Sequence, residues 1–476
     1  MLQSNYPIEL FLDTFTNSSF VVYLKFLLPF TFTSFTFLDY NMFFLLATLL
    51  LTAAEAKIVV FSGIAGSKHS ADTAVSNTAL LNTTFASLSK GDTLIIPNET
   101  FTFMGGIYAS GLDTVTLQID GTLEFTTHIK DWPLAKPGKN KMPKTCVTIE
   151  NSIHLTITSN GIGTLDGNGA TWWGIPGVGY LLRGKNRPPL IHIGNATDFL
   201  FEHILLLNSP RFHFTSSGLQ DATIRHSQVS ARRTTKDSHG SIDLTAFNTD
   251  GFDVSGDNIH IYDCEVWNQD DTFCIKDSTT NVVVENVRAS GVGLSIGSIG
   301  NKGPVRNITF RNIVMHHTDK GIYMKFRSSG GRGGIIEDIL YENIYIDQPE
   351  SWPIWIGPAQ QDIKEPGKAY NPCHGDPCSL CWPTLKSANC DSPPGTFRNI
   401  MLRNITVNKP KTSAGVIFGN FTNPIQNLTF DGVRFIDPVD NGAWGKDHFY
   451  CKGVENGVAI GDTFPVPPCF ANKTRK

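Results

Sequence analysis

A nine-residue pattern recurs through the second half of the chain, in which an Asn or Asp is followed by apolar residues at alternate positions. The copies are DFLFEHILL from Asp198, DATIRHSQV from Asp221, NIHIYDCEV from Asn258, NVVVENVRA from Asn281, NITFRNIVM from Asn307, DILYENIYI from Asp338, NIMLRNITV from Asn399 and NLTFDGVRF from Asn427. Their first residues lie 23, 37, 23, 26, 31, 61 and 28 positions apart. A unit this short cannot bury an apolar face by itself and must stack on its neighbours, which indicates a solenoid.

Alternation with a period of two predicts strands, whereas a leucine-rich horseshoe would need a strict leucine ladder and a helix in each unit. We therefore predict an all-β chain folded as a right-handed parallel β-helix, a single elongated domain. Rungs of such a helix lie ~4.8 Å apart, so residues one coil apart in sequence stack on each other. Four copies carry an amide at the sixth position, and we expect these side chains to bond to each other in a buried ladder: Asn286, Asn312, Asn343 and Asn404.

Composition supports one large core. Of the 476 residues, 41% are hydrophobic and 17% are charged, and 43 glycines with few long helical patterns favour strands. The net charge of −4 and the pI near 6.3 give no basic surface, which argues against a nucleic-acid partner. We assign residues 57–476 to the β-helix domain, with a Cys- and Pro-rich insertion at 349–396, and residues 1–56 to an N-terminal extension.

Residues 42–56 form a short apolar run that ends in Ala54-Glu55-Ala56, a pattern typical of a secretory signal cleaved before Lys57. The run is too short to span a membrane as a helix. For residues 1–41 three hypotheses stay open: a membrane segment, an extended signal, or translation that starts too early, which we favour. We expect an extracellular or cell-wall protein with no membrane partner once the signal is removed.

Asn-X-Ser/Thr sequons also indicate a secreted glycoprotein. The sequence has nine, at Asn17, Asn82, Asn98, Asn195, Asn307, Asn404, Asn420, Asn427 and Asn472. Some must be idle, because Asn404 falls at the ladder position, whereas Asn82, Asn98 and Asn472 are expected in loops.

Nine cysteines suit an oxidising compartment but leave one thiol unpaired. Cys451 and Cys469 bracket the C-terminus, Cys264 and Cys274 lie in the repeat region, and Cys146 is the expected free thiol. The other four lie in the insertion, at Cys373, Cys378, Cys381 and Cys390. They could bind zinc, but two disulfides stapling a long loop are favoured in a secreted chain.

The candidate chemistry lies in four short segments: NTDGFD (248–253), NQDDTFCIKD (268–277), GVGLSIGSIG (291–300) and GIYMKFR (321–327). Asp250, Asp270 and Asp271 are about one repeat apart, so we expect them to meet on successive coils. Hydrolysis of a glycosidic bond needs a carboxylic acid and a carboxylate, ~6.5–9.5 Å apart for inversion or ~5–5.5 Å for retention, and three aspartates can supply either geometry. The alternative is that these aspartates, with Asp253, bind calcium or cap turns.

These four segments, in this order, resemble the motif series of glycoside hydrolase family 28, the polygalacturonases and their relatives. The resemblance extends upstream through TLIIPNETF (93–101), GTLDGNGATWW (163–173), RPPLIHI (187–193) and NSPRFHF (208–214), and spans residues 57–436. It implies a right-handed parallel β-helix that hydrolyses pectin backbones with inversion and without a metal or cofactor.

The resemblance also implies roles for individual residues. Asp270 corresponds to the general acid, and Asp250 and Asp271 to the pair that positions and deprotonates the attacking water. Asn248 would belong to the wall that orients them, and Lys325 would pair with a substrate carboxylate.

Two further residues of the motifs, Ser295 and Gly297, would sit in a turn beside the cleft, where glycine permits close approach of a sugar.

Two positions depart from the family pattern. The Gly-His-Gly motif has Val292 in place of its histidine, and the Arg-Ile-Lys motif has Tyr323 in place of its arginine. Losing a bidentate arginine should cost a few kcal/mol of binding to an acidic sugar, so a shift in substrate is a natural consequence. Tyr323 could stack on a sugar face or pack against the neighbouring coil, and Arg327 or Arg332 could reach back, although solvated loop arginines are the favoured interpretation.

Neighbouring side chains could compensate for the departures. Only one of His316 and His317 could replace the missing imidazole, because adjacent strand residues point to opposite faces. Trp352 and Trp355 could line a sugar groove or pack in the core.

We predict a monomeric, secreted hydrolase that cleaves α-1,4-galacturonosyl linkages in pectin. A hydrolase of rhamnogalacturonan or another substituted pectin is the first alternative, and a non-catalytic glycan-binding relative is the second. A β-helix pectate lyase would need a calcium site and a catalytic arginine beside the acidic cluster, and a purely structural solenoid would not need vicinal aspartates.

Overall fold

The computed structural model describes residues 10–14, 20–24, 55–135, 142–175, 186–232, 242–300, 302–327, 334–359, 392, 394–439 and 448–470. The chain divides into two compact units, residues 1–55 and 56–476. In the first, strands β1 (Leu10–Thr14) and β2 (Phe20–Leu24) pair antiparallel. Most of the predicted signal, residues 42–54, lies outside the described residues. Within the described ranges, no helix has both the length and the apolar character needed to cross a membrane.

The second unit is built from short strands joined by tight turns. Its N-terminal strands are β3 (Ile58–Val60), β4 (Thr93–Ile96), β5 (Thr100–Phe103), β6 (Ile107–Ser110), β7 (Thr116–Ile119), β8 (Thr122–Phe125), β9 (Val147–Ile153), β10 (Thr156–Thr158), β11 (Gly163–Asp166), β12 (Ile191–Glu202), β13 (Ile204–Leu207), β14 (Phe214–Ser217), β15 (Leu219–Arg225) and β16 (Gln228–Ser230). The later strands are β17 (Phe252–Val254), β18 (Gly256–Tyr262), β19 (Glu265–Trp267), β20 (Asp271–Ile275), β21 (Thr279–Gly291), β22 (Gly293–Ile299), β23 (Val305–Thr318), β24 (Ile322–Phe326), β25 (Ile335–Asp347), β26 (Ile354–Pro358), β27 (Thr396–Asn408), β28 (Gly415–Phe418), β29 (Ile425–Ile436), β30 (Phe449–Lys452), β31 (Val454–Glu455) and β32 (Val458–Ile460).

Helical segments are few in the described part of the chain. They are the helix α1 (Ala71–Ala86) and the 3-10 turns Ile129–Asp131, Gly169–Thr171 and Leu244–Ala246. Ser70 caps α1 by accepting a hydrogen bond from the Thr73 amide. Leu81 and Phe85 of α1 join the main core, so the helix covers the N-terminal rungs.

The named strands of the second unit pair in parallel and wind into three faces. One of these faces carries the candidate site, and we call it the third face. It consists of β6, β9, the first half of β12, β14, β17, β20, β22, β24, β26, β28 and β30. This is the right-handed parallel β-helix predicted from the repeat.

The repeat copies stack in the predicted register. Their second positions pair rung to rung and are buried in one apolar column: Phe199, Ala222, Ile259, Val282, Ile308, Ile339, Ile400 and Leu428. A strand that buries every second residue in this way contributes one layer to a continuous core.

The asparagine ladder forms, but on the surface. Asn312 donates from Nδ2 to Asn286 at 3.3 Å, Asn343 to Asn312 at 3.2 Å, and Asn404 to Asn343 at 2.8 Å. All four residues have a positive φ, between 49° and 56°, which asparagine tolerates better than most residues. The expected burial of Asn404 is wrong, because these turns project outward between two faces and leave it exposed.

Two other expectations need correction. Asn82 lies in α1 and not in a loop, and its side chain bonds to the backbone of Gly106 and Tyr108. Cys146 is a buried free thiol as expected, but Cys264 and Cys274 are buried and free as well.

The remaining described cysteines, Cys451 and Cys469, form a disulfide near the C-terminus. The four cysteines of the insertion lie outside the described residues, as does the sequon at Asn472.

Candidate active site

Four consecutive strands of the third face, β17, β20, β22 and β24, carry the segments singled out in the sequence. Their inward residues Phe252 and Phe273 stack with ring centroids 5.5 Å apart, and Leu294 and Ile322 continue the core above them. Because side chains alternate along a strand, the residues between these anchors face outward. The rigid core thus fixes the rung on which each polar side chain stands.

The three aspartates of the prediction meet. Asp250 precedes β17, Asp270 precedes β20 and Asp271 begins it, and one carboxylate oxygen from each lies within 4.8 Å of the others. Their exposed fractions are only 4%, 6% and 3%. Three carboxyl groups this close and this buried cannot all be ionised without a large energetic cost.

Asp271 is the carboxylate that the protein keeps charged. Lys325 Nζ donates to both of its oxygens, at 3.0 and 2.8 Å, and Ser295 Oγ donates to Oδ1 at 2.6 Å. Burial would raise the pKa of Asp271, but Lys325, Lys276 and these hydrogen bonds hold the pKa below its usual value. Asp271 is therefore ionised at any physiological pH.

Asp270 is held differently. The Asn248 backbone N–H and Nδ2 donate to its Oδ2 at 3.0 and 3.2 Å, and the Asp271 N–H donates to its Oδ1 at 2.7 Å. Burial, followed by the charge of Asp271, nevertheless raises the pKa of Asp270 to about 6. Asp270 can therefore carry a proton at mildly acidic pH.

Asp250 has an oxygen without a partner. Its Oδ1 is buried and accepts no hydrogen bond from the residues that the structure describes, while its backbone carbonyl accepts from the His213 N–H at 2.8 Å. Burial, then the charges of Asp270 and Asp253, raises the pKa of Asp250 well above its usual value. Asp250 and Asp270 are therefore protonated as a coupled pair beside the ionised carboxylate of Asp271.

A second ion pair joins Asp253 of β17 to Lys276, the residue that follows β20. Lys276 Nζ is 2.9 Å from Asp253 Oδ2. Burial raises the pKa of Asp253, and Lys276 opposes that rise. Asp253 thus serves the charge balance of the site, and it is not one of the three aspartates whose oxygens lie within 4.8 Å of one another.

The structure revises several predicted contacts with substrate. Lys325, expected to pair with a substrate carboxylate, is bound to Asp271, and its contact with a substrate stays a prediction. Ser295 and Gly297 were expected in a turn beside a sugar, but both lie within β22. Ser295 is buried against Asp271, and a Cβ on Gly297 would meet the Lys325 carbonyl oxygen at 2.2 Å. The close approach that Gly297 permits is that of the next strand.

The residues at the two departures from the motif pattern pack together. Val292 and Tyr323 belong to one buried apolar cluster with Trp352, Trp355, Val416 and Phe418, which we call the aromatic wall. Tyr323 and Trp355 are edge to face with centroids 6.1 Å apart. Of the alternatives for Tyr323, Trp352 and Trp355, packing is therefore the one observed, not an open sugar platform.

The remaining candidates are Arg327, Arg332, His316 and His317. Arg327 is exposed just after β24, and Arg332 lies outside the described residues. His316 and His317 contact each other and the Trp267 ring at the end of β23.

Two residues that the sequence did not single out, Asn268 and Arg187, hold the site in place by hydrogen bonds. Asn268 Nδ2 donates to the carbonyls of Thr249, Asp270 and Asp271, at 2.9, 2.9 and 2.8 Å. Arg187, itself buried, donates to the Asn248 side chain at 3.3 Å. Both residues stand inside segments that the motif comparison had marked, but only the folded register shows which atoms they hold.

The comparisons with known proteins agree with this geometry. The sequence profile of Glycosyl hydrolases family 28 matches residues 89–374. Endopolygalacturonase I of Aspergillus oryzae is 30% identical over 274 residues, 56% of this chain and 65% of the relative. Rhamnogalacturonase B of Aspergillus niger is 26% identical over 269 residues, 56% of this chain and 42% of the relative. The chain therefore spans less than two thirds of the length of these relatives.

A solved structure shares the fold. Endo-xylogalacturonan hydrolase from Aspergillus tubingensis superposes with a TM-score of 0.56 at 18% identity, covering 85% of this chain and 98% of that one.

Proposed function

The chain belongs to glycosyl hydrolase family 28, and from that premise we propose that it hydrolyses glycosidic bonds of a pectic polysaccharide by aspartate acid–base catalysis. The contrast between two adjacent carboxyl groups carries the proposal. Lys325 keeps Asp271 ionised, while burial and the charge of Asp271 raise the pKa of Asp270 to about 6. A protonated acid beside a fixed carboxylate is the pairing that this reaction needs.

The roles follow from the contacts. Asp270 protonates the leaving oxygen, and the Asn248 donors hold it in place for that step. Asp271 accepts a proton from the attacking water, and the unpartnered Oδ1 of Asp250 offers that water a second acceptor. The water adds to the anomeric carbon as the bond to the leaving oxygen breaks, so one proton is taken up by Asp271 while another leaves Asp270.

The stereochemistry is the finer part of the proposal. Inversion follows from the family pattern, yet the nearest carboxylate oxygens lie within 4.8 Å, closer than the ~6.5–9.5 Å of the general inverting geometry. We propose inversion with the water held directly between Asp250 and Asp271. Proton NMR of the first product formed shows which anomer is released, and a product of retained configuration contradicts this arrangement.

The α-1,4-galacturonosyl linkage is the first candidate target, and one observation favours rhamnogalacturonan or another substituted pectin instead. Basic side chains that the structure describes around the site already hold partners: Lys325 holds Asp271, Lys276 holds Asp253 and Lys320 holds Asp319. Tyr323 occupies the position of the motif arginine and is buried. Binding a galacturonate carboxylate through one of these three lysines would require that lysine to share or leave its aspartate.

A non-catalytic glycan-binding role is less well supported. A buried carboxyl oxygen without a partner, as on Asp250, costs ~1–3 kcal/mol or more. Asp253 has such an oxygen as well, so the support for catalysis is the position of Asp250 beside two further carboxyl groups, with oxygens of all three within 4.8 Å of one another. A surface that only binds sugar does not need that arrangement.

We also propose that the protein is secreted into the cell wall, is glycosylated and is a monomer. Exposed Asn98, at the bend between β4 and β5, is the best placed of the sequons expected in loops.

Release of reducing ends from polygalacturonic acid and from rhamnogalacturonan, measured in parallel, tests the function. Asp270→Asn is the matched control because asparagine has nearly the same size but no acidic proton to donate. We expect release that the variant loses, with the faster polymer identifying the substrate. Release that survives in Asp270→Asn would remove Asp270 from the mechanism.

A further inference from the structure

The outward residues of the third face form one continuous file across the molecule. Parallel pairing joins them rung by rung in the order Tyr108, Thr148, His192, Thr215, Asp253, Cys274, Ser295, Tyr323, Trp355, Val416 and Tyr450. A polymer lying along this face would cross these side chains one after another. The file therefore shows what a glycan meets on either side of the aspartates.

On the N-terminal side the file is polar and open to solvent. Tyr108 is 49% exposed, and Thr148, His192 and Thr215 are partly exposed. His192 Nδ1 and Thr215 Oγ1 are 2.9 Å apart. Accessible hydroxyl, imidazole and phenol groups in a row are suited to hydrogen bonds with sugar hydroxyls.

On the C-terminal side the file is apolar and is covered at three successive rungs, and Tyr450 at its end is partly exposed. Tyr323, Trp355 and Val416 point outward from the sheet, yet their exposed fractions are 3%, 0% and 0%. An outward side chain on a sheet face is buried only if something packs over it. Trp352 does so, with its ring 5.5 Å from that of Trp355, and Phe247 packs against the same cluster.

The covered part begins on the rungs of the carboxylates, where Cys274 and Ser295 of the file are also buried, and it continues to the aromatic wall. Lys325 Nζ is 2.8 Å from Asp271 and 4.0 Å from the centroid of the Tyr323 ring. Strand β24, which carries Tyr323, is two rungs beyond β20, about 10 Å at the spacing of adjacent strands. Phe247 of the cover immediately precedes Asn248, the residue that holds Asp270.

We propose that the aromatic wall closes the C-terminal end of the groove, so that the site is a one-ended pocket and the enzyme attacks the ends of pectic chains. A chain can enter from the open side past Thr215 and His192, but it cannot continue past Tyr323. The low exposure of all three aspartates agrees with a pocket. This inference rests on the proposed hydrolysis, and it separates the chain from the relatives named above as endo-acting enzymes.

The test compares viscosity with bond cleavage. Polygalacturonic acid and rhamnogalacturonan are each treated with the protein, and viscosity, reducing ends and product sizes are followed together. End attack predicts one small product from the start and a viscosity that falls only after a large fraction of bonds is cleaved. A ladder of oligomers with an early collapse of viscosity overturns the closed end and leaves the hydrolase proposal standing. A folded protein that releases nothing overturns the proposed function, and this inference with it.

A variant of the wall provides a second measurement. Trp352→Ala removes part of the cover without touching the aspartates, and we expect it to add longer oligomers to the product profile. Trp132→Ala, a buried tryptophan near the N-terminal rungs, is the matched control and should keep the profile of the natural protein. A folded Trp352→Ala protein with an unchanged profile would show that Trp352 does not close the groove.

Discussion

Replacing Asp270 with asparagine should abolish activity and at the same time stabilise the folded protein at neutral pH. Asp270 is 6% exposed and lies next to ionised Asp271. Its folded pKa of about 6 stands above the ordinary 3.8, so the folded state binds the proton more tightly than the unfolded state. Stability therefore falls as pH rises from about 4 to about 6 and then stays level.

The size of the effect follows from the shift. Each pKa unit corresponds to ~1.36 kcal/mol, so ionising Asp270 costs the folded state about 3 kcal/mol above pH 6. Asparagine never ionises and avoids that cost. The variant should match the natural protein near pH 4 and exceed it by up to about 3 kcal/mol at pH 7.

The assay is denaturant unfolding of both proteins at several pH values between 4 and 8. Asp271→Asn is the matched control, since it leaves Lys325 buried without its partner and should lose ~3–5 kcal/mol. The reasoning is refuted if Asp270→Asn is less stable than the natural protein at pH 7, or if its difference from the natural protein does not change with pH.

Three further outcomes are expected. Lys325→Met should destabilise the fold by ~3–5 kcal/mol, because the charge of Asp271 stays buried without its partner. Lys411→Met, which breaks a surface ion pair with Glu350, should cost under about 1 kcal/mol. Denaturant midpoints distinguish the two variants, and equal losses of stability would contradict the burial of the Lys325–Asp271 pair. The rate of hydrolysis should fall as pH rises through about 6, because Asp270 must be protonated; a rate that climbs through this range in a pH profile argues against Asp270 as the acid. Asn312→Ala should lose ~1–2 kcal/mol more stability than Asn312→Gly in thermal unfolding, because both variants lose the ladder hydrogen bonds but only alanine is strained by the left-handed backbone. An equal or larger loss in Asn312→Gly would contradict the role given to the backbone.

Stacking could be predicted from the sequence because the repeat fixes it. The alternation that begins at Asn281 and Asn307 dictates which side chains face the core, and the observed register pairs them as expected. The meeting of Asp250 with Asp270 and Asp271 followed from the same spacing. These features depend on one period, and a period is visible in a single sequence.

The features that could not be predicted depend on which side chains are buried by residues distant in the sequence. Nothing in the letters around Tyr323 shows that Trp352 packs over the same cluster, so an exposed ring and a buried one were equally plausible. Ser295 was misplaced for a related reason, because its partner on Asp271 stands 24 residues away and on another rung. Arg187 supports Asn248 from 61 positions upstream, a distance at which spacing carries no information.

The most direct test of the account measures glycan binding and reducing-end release on the same samples of natural protein and Asp270→Asn. The account predicts that both proteins bind the pectic polymer with similar affinity, and that the variant releases ~10²–10⁴-fold fewer reducing ends, the usual contribution of a general acid. Equal release by the two proteins, or binding by both with release by neither, would contradict it.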